Sequence, residues 1–319
     1  MKKFDVTSLG EILIDMTYAG KSESGQTLFE QNPGGAPANV LSAVSRLGGA
    51  CAFIGKVGED MHGKFLMDTL KKENICTEGT VADDKYFTTL AFVNLDEKGE
   101  RSFSFARKPG ADTQLSEDEV RFDIIENSKI FHVGSLSLTD EPCRSATFAA
   151  LKHAKETGLL ISYDPNYRSM LWQSEEKAIE GMKSILSYVD IIKVSDEEIK
   201  LLTGFTDEVK ASKKLLEMGI KVVIVTLGEK GALVRNEEGY IYSDARKVNA
   251  IDTTGAGDAF MGGFLYKVIE SGKREFTLEE IKAFAAFANR VAAHCVQHRG
   301  AINAMPFVAQ VQNEGNDRL

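Results

Sequence analysis

The stretch from Val248 to Phe260 reads VNAIDTTGAGDAF and joins a turn of small residues to an apolar helix. Gly255, Ala256 and Gly257 carry little or no side chain, so an anion can approach their backbone N–H groups. Asp258 follows in the first helical turn, where a carboxylate can accept the proton of an attacking hydroxyl. The stretch therefore indicates a phosphoryl-transfer site. The alternative is an aspartate that only complements the helix dipole.

Composition narrows the class of protein. The 319 residues are 43% hydrophobic and 27% charged, which is enough for one large α/β domain or two smaller ones. A net charge of -9 argues against a nucleic-acid surface and favours a small-molecule ligand. Scattered cysteines and histidines predict a reducing compartment and no structural zinc. The sequence contains neither a signal-type apolar segment nor a membrane-spanning run, so we expect a cytoplasmic protein without a membrane partner.

Short apolar β-type runs alternate with helical patterns through most of the chain. We predict a helix over residues 37–47 and strands near residues 50–54, 130–133, 159–163, 191–194 and 222–226. This alternation predicts an α/β fold with a doubly wound, mainly parallel central sheet and helices on both faces. In such a fold, ligands bind beyond the carboxyl ends of the strands.

One region departs from this rhythm. Residues 88–95 and 101–106 flank an Asp-Glu-Lys-Gly turn at 96–99 and predict a hairpin without a crossover helix. Together with an irregular segment from Leu13 to Asn32, the hairpin can form a small β lid with Phe105 facing inward; the alternative is an ordinary edge hairpin. The expected domains are a large one of residues 1–12, 33–85 and 113–319, and a lid of residues 13–32 and 86–112.

A second cluster of small residues opens the helix at 37–47. Gly34 and Gly35 allow a polyhydroxylated ligand to touch the backbone, and Asn39 supplies a donor and an acceptor. The alternative is a simple turn before a proline-started helix. Asp15, just past the first strand, is placed to accept hydrogen bonds from sugar hydroxyls, although alone it is only a loop aspartate.

Together, the two clusters resemble those of the PfkB (ribokinase-like) carbohydrate kinases. The resemblance covers essentially the whole chain and includes a Gly-x-Val-Gly-x-Asp-x-x-Gly turn at 55–63. Residues 226–231, Thr-Leu-Gly-Glu-Lys-Gly, resemble the family's nucleotide-phosphate loop. The resemblance implies a ribokinase-like fold and an ATP-dependent sugar kinase.

The resemblance also implies roles for individual residues. Asp258 is similar to the family's catalytic base, and Gly255, Ala256 and Gly257 to its anion hole. The implied sugar contacts are Asp15, Gly34, Gly35 and Asn39. The implied ATP contacts are Thr226, Gly228, Gly231 and Asn289. Asn289 can instead satisfy backbone groups as an inward-facing helical asparagine.

Phosphoryl transfer implies Mg²⁺ linked to carboxylates through water. Glu198 is the candidate because Ser195-Asp196-Glu197-Glu198 is similar to the family's Asn-x-x-Glu, although Ser195 departs from that pattern. The alternative is a glutamate on a helix surface. Some family members bind a monovalent cation near the positions of Asp252, Thr254 and Gly300, so potassium activation is an expectation here. Asp252 can equally serve as a helix-entry cap.

Several strings are most similar to the fructokinase branch of the family, among them residues 34–40, 105–112 and 164–172. We therefore expect the transfer of the γ-phosphoryl group to the terminal hydroxyl of D-fructose, giving fructose 6-phosphate. Arg107 and Arg168 are candidate ligand contacts, since an arginine binds sugar or phosphate oxygens with a fork of donors; for Arg168 the alternative is a salt bridge to a nearby acid. Alternative functions are a 2-keto-3-deoxygluconate kinase and a non-catalytic sugar sensor. A homodimer through the lid is a further expectation.

Overall fold

The computed structural model describes residues 2–95 and 101–313, so the predicted turn at 96–99 lies outside the described residues. The strands are β1 (Phe4–Leu9), β2 (Leu13–Lys21), β3 (Thr27–Gly34), β4 (Cys51–Gly58), β5 (Ile75–Asp83), β6 (Leu90–Leu95), β7 (Arg101–Ala106), β8 (Ser128–Val133), β9 (Leu160–Tyr163), β10 (Ile191–Ser195), β11 (Val222–Thr226), β12 (Ala232–Asn236) and β13 (Gly239–Ser243). The helices are α1 (Ala36–Arg46), α2 (Met61–Lys72), α3 (Phe122–Glu126), α4 (Cys143–Glu156), α5 (Glu175–Ser184), α6 (Asp196–Thr203), α7 (Glu208–Glu217), α8 (Ala256–Ser271), α9 (Leu278–Cys295) and α10 (Val308–Asn313).

The large sheet confirms the predicted architecture. Its order is β13-β12-β11-β10-β9-β8-β1-β4-β5. Every neighbouring pair is parallel except the pairs β11–β12 and β12–β13, which are antiparallel. Each of the five predicted strands is found: β11 has the predicted ends, and the ends of the other four differ from the prediction by up to four residues. Buried side chains alternate between two cores: Val6 and Ile130 face α1, α8 and α9, whereas Leu9 and Phe131 face α4 to α7. The strand order reverses between β1 and β8, and ligands bind at such a crevice.

The small sheet has the order β3-β2-β6-β7. Strands β2 and β6 pair parallel, and the outer pairs are antiparallel. The sequence predicted an irregular segment from Leu13 to Asn32. The structure instead forms two paired strands there, β2 and β3. The signal was missing because β3 is exposed over its first four residues, so no period-two apolar face marks it.

The close packing of α1 against α8 brings Asn39 and Asp258 together. A Cβ at Gly262 of α8 would lie 2.9 Å from the carbonyl oxygen of Val40 in α1, so only glycine lets these helices approach to this distance. The amino-terminal ends of α1 and α8 consequently meet, which places Asn39 beside Asp258.

Among the described residues, no helix combines the length and the apolar character that crossing a membrane requires.

Candidate active site

A cavity of about 570 Å³ opens at the carboxyl ends of the large sheet's strands. The large sheet contributes the segments that follow β1, β9 and β10 and the amino-terminal ends of α1 and α8. The small sheet contributes Thr17, Glu30, Asn32, Val93 and Phe105. The cavity therefore lies between the two sheets, where a ligand can be enclosed from both sides.

Asp258 lies in the first turn of α8 and is held by two amides. Its Oδ2 accepts a hydrogen bond from Nδ2 of Asn39 at 2.8 Å, and its Oδ1 accepts one from Nδ2 of Asn166 at 3.0 Å. The side chain lines the cavity although the residue is only 6% exposed. Each carboxylate oxygen keeps a further lone pair, so the group can accept a proton from a hydroxyl in the cavity.

Burial, and secondly the nearby carboxylate of Asp164, raise the pKa of Asp258 to about 6 against the opposing effects of Lys193, Asn39 and Arg168. A carboxylate with this pKa is ionised at neutral pH and is a stronger base than an exposed aspartate.

A buried ion pair lies beneath this carboxylate. Lys193, on β10, places its Nζ 2.6 Å from Oδ2 of Asp164, which follows β9. Burial would lower the pKa of Lys193, but Asp164, Glu198 and Asp258 together raise it above its usual value. A Cβ on Gly257 would lie 2.8 Å from the Lys193 Nζ, so the ammonium lies against the first turn of α8.

The amino-terminal end of α8 has the form expected of an anion site. Gly255 adopts a left-handed conformation with φ 76° and precedes the helix. In the part of the chain that the structure describes, no side chain caps this end. The N–H groups of the first helical turn have no partner within a helix, and the dipole adds partial positive charge there. Together with the Lys193 ammonium, they can bind a phosphoryl group.

Glu198 lies at the beginning of α6 and is fixed by backbone groups. Its Oε2 accepts a hydrogen bond from the N–H of Ser195 at 2.8 Å, while the Ser195 hydroxyl accepts one from the N–H of Glu198. Its Oε1 accepts from the N–H of Tyr167 at 2.7 Å. The serine that departs from the family pattern thus caps this helix. Because backbone N–H groups occupy both carboxylate oxygens, Glu198 suits contact with a metal through water.

Asp15, half-buried on β2, faces the cavity close to Gly34. A Cβ on Gly34 would overlap the Asp15 carboxylate, which explains the glycine. Burial, together with the carboxylates of Asp258 and Asp252, raises the pKa of Asp15 to about 6 against the opposing effect of Arg168. Arg168 is exposed at the cavity mouth, where its Nη1 donates to the carbonyl of Tyr167.

The backbone conformation at position 35 requires glycine. Its φ is 110°, a conformation that residues with a side chain rarely adopt, and a Cβ there would lie 2.5 Å from the carbonyl oxygen of Glu11. We expect Gly35→Ala to cost about 3 kcal/mol of unfolding free energy. Urea unfolding measures this cost. Gly20→Ala is the matched control, because Gly20 has φ 101° and open space around it. Equal losses in the two variants would contradict the steric argument.

The structure does not bring every predicted residue to the cavity. The Arg107 guanidinium forms an ion pair with Asp112 at 2.7 Å and donates to Thr139 and to the carbonyl of Leu136. This side chain is buried outside the cavity lining and its donors are bound to protein groups, so the structure does not support the ligand contact expected from the sequence. The Nδ2 of Asn289 donates to the carbonyls of Ser243 and Asp244 and to the Ser243 hydroxyl, which satisfies backbone at the end of β13.

The nucleotide-loop residues are only partly at the cavity. Thr226, at the end of β11, lines it. Gly228 and Gly231 form the turn after β11 with φ values of 59° and 96° and are not among the described lining residues.

Asp252, Thr254 and Gly300 are brought together. Oδ1 of Asp252 accepts hydrogen bonds from the N–H and the hydroxyl of Thr254, and Oδ2 accepts one from the N–H of Gly300 at 3.0 Å. Asp252 thus joins two loops beside the anion site.

Sequence reasoning missed Asn166, Asp164 and Lys193 as site residues. Lys193 had a readable signal, since a lysine inside an apolar strand is seldom buried without a charged partner. For Asn166 the resemblance of residues 164–172 to fructokinases gave no role, because its role depends on a left-handed backbone conformation with φ 50°.

Comparison with known proteins agrees with this geometry. The family model for pfkB family carbohydrate kinases matches residues 3–307. The chain belongs to this family. It is 46% identical over 310 residues to probable fructokinase-5 of Arabidopsis thaliana, with 96% of each chain covered. The protein is therefore a phosphotransferase that acts on an alcohol group.

Solved structures of this family have the same fold. The chain is similar to the fructokinase of Vibrio cholerae O395, solved in a fructose, ADP and calcium ion bound form: the TM-score is 0.89 and the identity 34%, covering 98% of this chain and 99% of that one. It is also similar to the fructokinase of Xylella fastidiosa with bound ATP, with a TM-score of 0.87 and 33% identity, covering 99% and 100%. These matches confirm the ribokinase-like fold.

Proposed function

We propose that this pfkB-family kinase transfers the γ-phosphoryl group of ATP to the terminal hydroxyl of D-fructose, giving fructose 6-phosphate. The observation that carries the proposal is the Asp258 carboxylate, held by two amides at the amino-terminal end of α8 inside the cavity between the two sheets. Relatives named fructokinases, similar over nearly the whole chain, support the choice of sugar.

Some of the cavity residues bind the sugar, and others bind the phosphoryl group or assist its transfer. Asp15 and Asn39 bind sugar hydroxyls, and Gly34 and Gly35 let the backbone beside them approach the Asp15 carboxylate and the Glu11 carbonyl closely. Asp258 accepts the proton of the attacking hydroxyl. The N–H groups at the start of α8 and the ammonium of Lys193 stabilise the negative charge that develops on the transferred oxygens. Enclosure between the sheets excludes water and strengthens these interactions.

The oxygen-rich site fits a divalent ion that is held mainly by phosphates and water. The described residues contain no group of three or more acids, cysteines or histidines that could cage a metal. We propose that Glu198 orients Mg²⁺ through water. When bound, the ion neutralises phosphate charge. For potassium, the loops joined by Asp252, which include Thr254 and Gly300, offer carbonyl oxygens beside the anion site.

The geometry favours a neutral sugar over 2-keto-3-deoxygluconate. A sugar acid needs a cation in the cavity, and Asp112 already pairs with Arg107. Of the cations that line the cavity, Arg168 and Arg299 are exposed and Lys193 pairs with Asp164, whereas Glu11, Asp15 and Asp258 place three carboxyl groups there.

The proposal is tested by ADP release from purified protein with Mg-ATP. Acceptors are fructose, 2-keto-3-deoxygluconate, ribose, glucose and adenosine, each with and without potassium. Turnover that depends on fructose supports the proposal. Activity on the keto acid alone would overturn the assignment of fructose as the substrate. If no acceptor gave ADP release, the non-catalytic sugar sensor would be favoured.

We expect kcat/KM for the sugar to fall as the pH drops below about 6. The reason is that Asp258 acts only when ionised, and its raised pKa brings protonation into this range. Asp15, with a pKa of about 6, contributes to the same limb. A pH profile for wild type and Asp15→Asn separates the two groups. A profile that stays flat down to about pH 4 would contradict the assignment of Asp258 as the base.

Three broader features belong to the proposal. The large domain comprises residues 1–12, 33–85 and 113–319, and the lid comprises residues 13–32 and 86–112. Exposed Tyr18, Leu28 and Phe29 on the small sheet support a homodimer through the lid. The composition supports a cytoplasmic location.

A further inference from the structure

The segment from Asp164 to Arg168 contacts several parts of the site within five residues. Asp164 pairs with Lys193, the Asn166 amide donates to Asp258, and the N–H of Tyr167 donates to Glu198. Asn166 is the member with an unusual backbone, since its φ is 50°. Such a conformation is uncommon for a residue with a side chain, and asparagine tolerates it best.

Hydrogen bonds on both sides hold Asn166 in this conformation. The carbonyl of Pro165 accepts a hydrogen bond from the N–H of Ser135 at 3.1 Å. On the other side, the N–H of Tyr167 donates to Oε1 of Glu198 at 2.7 Å. With its two neighbours held, one by Ser135 after β8 and the other by Glu198 at the beginning of α6, the left-handed turn directs the Asn166 amide to Asp258.

The contact fixes an orientation that the other partner of Asp258 leaves open. Asn39 donates only to Oδ2, and a carboxylate held at one oxygen can rotate about its terminal torsion, which is broad. The Lys193 ammonium, below the helix turn, attracts a carboxylate that is free to rotate. The bond from Asn166 to Oδ1 opposes this rotation.

We propose that Asn166 is a positioning residue that keeps the Asp258 carboxylate aimed at the sugar hydroxyl. The inference rests on the proposed role of Asp258 as the base. Asn166 acts through Asp258, and its left-handed backbone is what makes this contact possible.

The test compares Asn166→Gly, which keeps the backbone conformation but removes the amide, with Asn166→Ala, which loses both. We expect Asn166→Gly to lower kcat for fructose about 10-fold or more through misorientation of the base. The KM for ATP should stay close to the wild-type value. Wild-type kcat in Asn166→Gly would overturn the proposal.

Asn74 offers a matched control for the backbone. Among the described residues other than glycine, only Asn74 and Asn166 have a positive φ, and that of Asn74 is 56°. Asn74 is exposed beyond the end of α2 and lies outside the cavity lining. Asn74→Gly and Asn74→Ala measure the effect of the backbone alone. We expect both to leave kcat unchanged and only the alanine variant to lower the urea midpoint. Equal losses of kcat at the two asparagines would overturn the proposal.

A pH profile adds a readout that a purely structural role does not move. Removing a donor to the ionised form raises the pKa of Asp258, so the acid limb of kcat/KM in Asn166→Gly should move to higher pH. Asn166→Asp should move it further, because a second carboxylate would face the first. The groups that already face Asp258 are unchanged in these variants: Asp15, Asp164, Arg168, Lys193 and Cys295.

A stability cycle separates this inference from the proposed function. Urea unfolding of Asn166→Gly, Asp258→Ala and the double variant should give effects that do not add, as for residues in contact. Additive effects would overturn the contact, whatever the substrate. Absence of fructose turnover in the wild type would overturn the proposed function and leave the cycle readable.

Discussion

Replacing Asp258 with asparagine is expected to lower turnover on fructose by at least about 100-fold, the low end of the range for a positioned general base. An amide cannot accept the proton of the attacking hydroxyl, whereas the anion site and the sugar contacts remain. KM should therefore change much less than kcat. Assays under saturating fructose and ATP measure this effect, and near-normal turnover would rule out the base assignment.

The same variant should stay folded and gain stability at alkaline pH. The Asn39 Oδ1 is buried without a described partner. If the Asn39 amide rotates, this oxygen can accept a hydrogen bond from the new side-chain N–H of the variant. In the wild type, the pKa of Asp258 is about 6 against an ordinary 3.8, so the folded state disfavours the ionised form by at most about 3 kcal/mol. This carboxyl stabilises the fold below pH 3.8, and its contribution is lost as the pH rises through 6.

Urea unfolding of both proteins at several pH values checks this sign. Asp258→Asn should unfold at higher urea than the wild type at pH 8, and the difference should shrink towards pH 4. A difference of the opposite sign at pH 8 would mean that the carboxylate is stabilised by its surroundings. The expected pattern is that of a site where function is maintained at the expense of stability.

The sequence predicted the elements whose side chains are buried in a regular pattern. Strand β11 was placed at its observed ends because Val222 to Val225 is a short, buried apolar run that Thr226 ends. The beginning of α8 was also predicted, since the small residues from Gly255 to Gly257 are suited to little else than a close approach of backbone. In contrast, β2 and β3 of the lid have few buried side chains and gave no periodic signal.

Site residues were predictable only where their role is local. Asp258 follows from its position in a helix turn. Arg107 was misplaced because its partner Asp112 and the carbonyl of Leu136 come together only in the folded chain. Asn289 likewise satisfies Ser243, 46 residues away in sequence. Charge and residue type identify a candidate, but long-range contacts decide whether its donors remain available for a ligand.

Lys193→Met is expected to reduce both turnover and stability, for separable reasons. The variant leaves Asp164, which is 1% exposed, without its ion-pair partner, and this should cost about 3–5 kcal/mol of unfolding free energy at pH 7. It also removes the positive charge below the anion site, so we expect kcat to fall by about 100-fold or more. Urea unfolding and saturating kinetics measure the two effects.

The double variant Asp164→Asn with Lys193→Met separates them. Removing both charges of a buried pair is often nearly neutral, so most of the stability should return. Turnover should stay low, since neither asparagine nor methionine supplies a cation to the transferred phosphoryl group. If turnover returned together with stability, Lys193 would serve only to neutralise Asp164. The phosphoryl charge would then be stabilised by the N–H groups of α8 and by the metal alone.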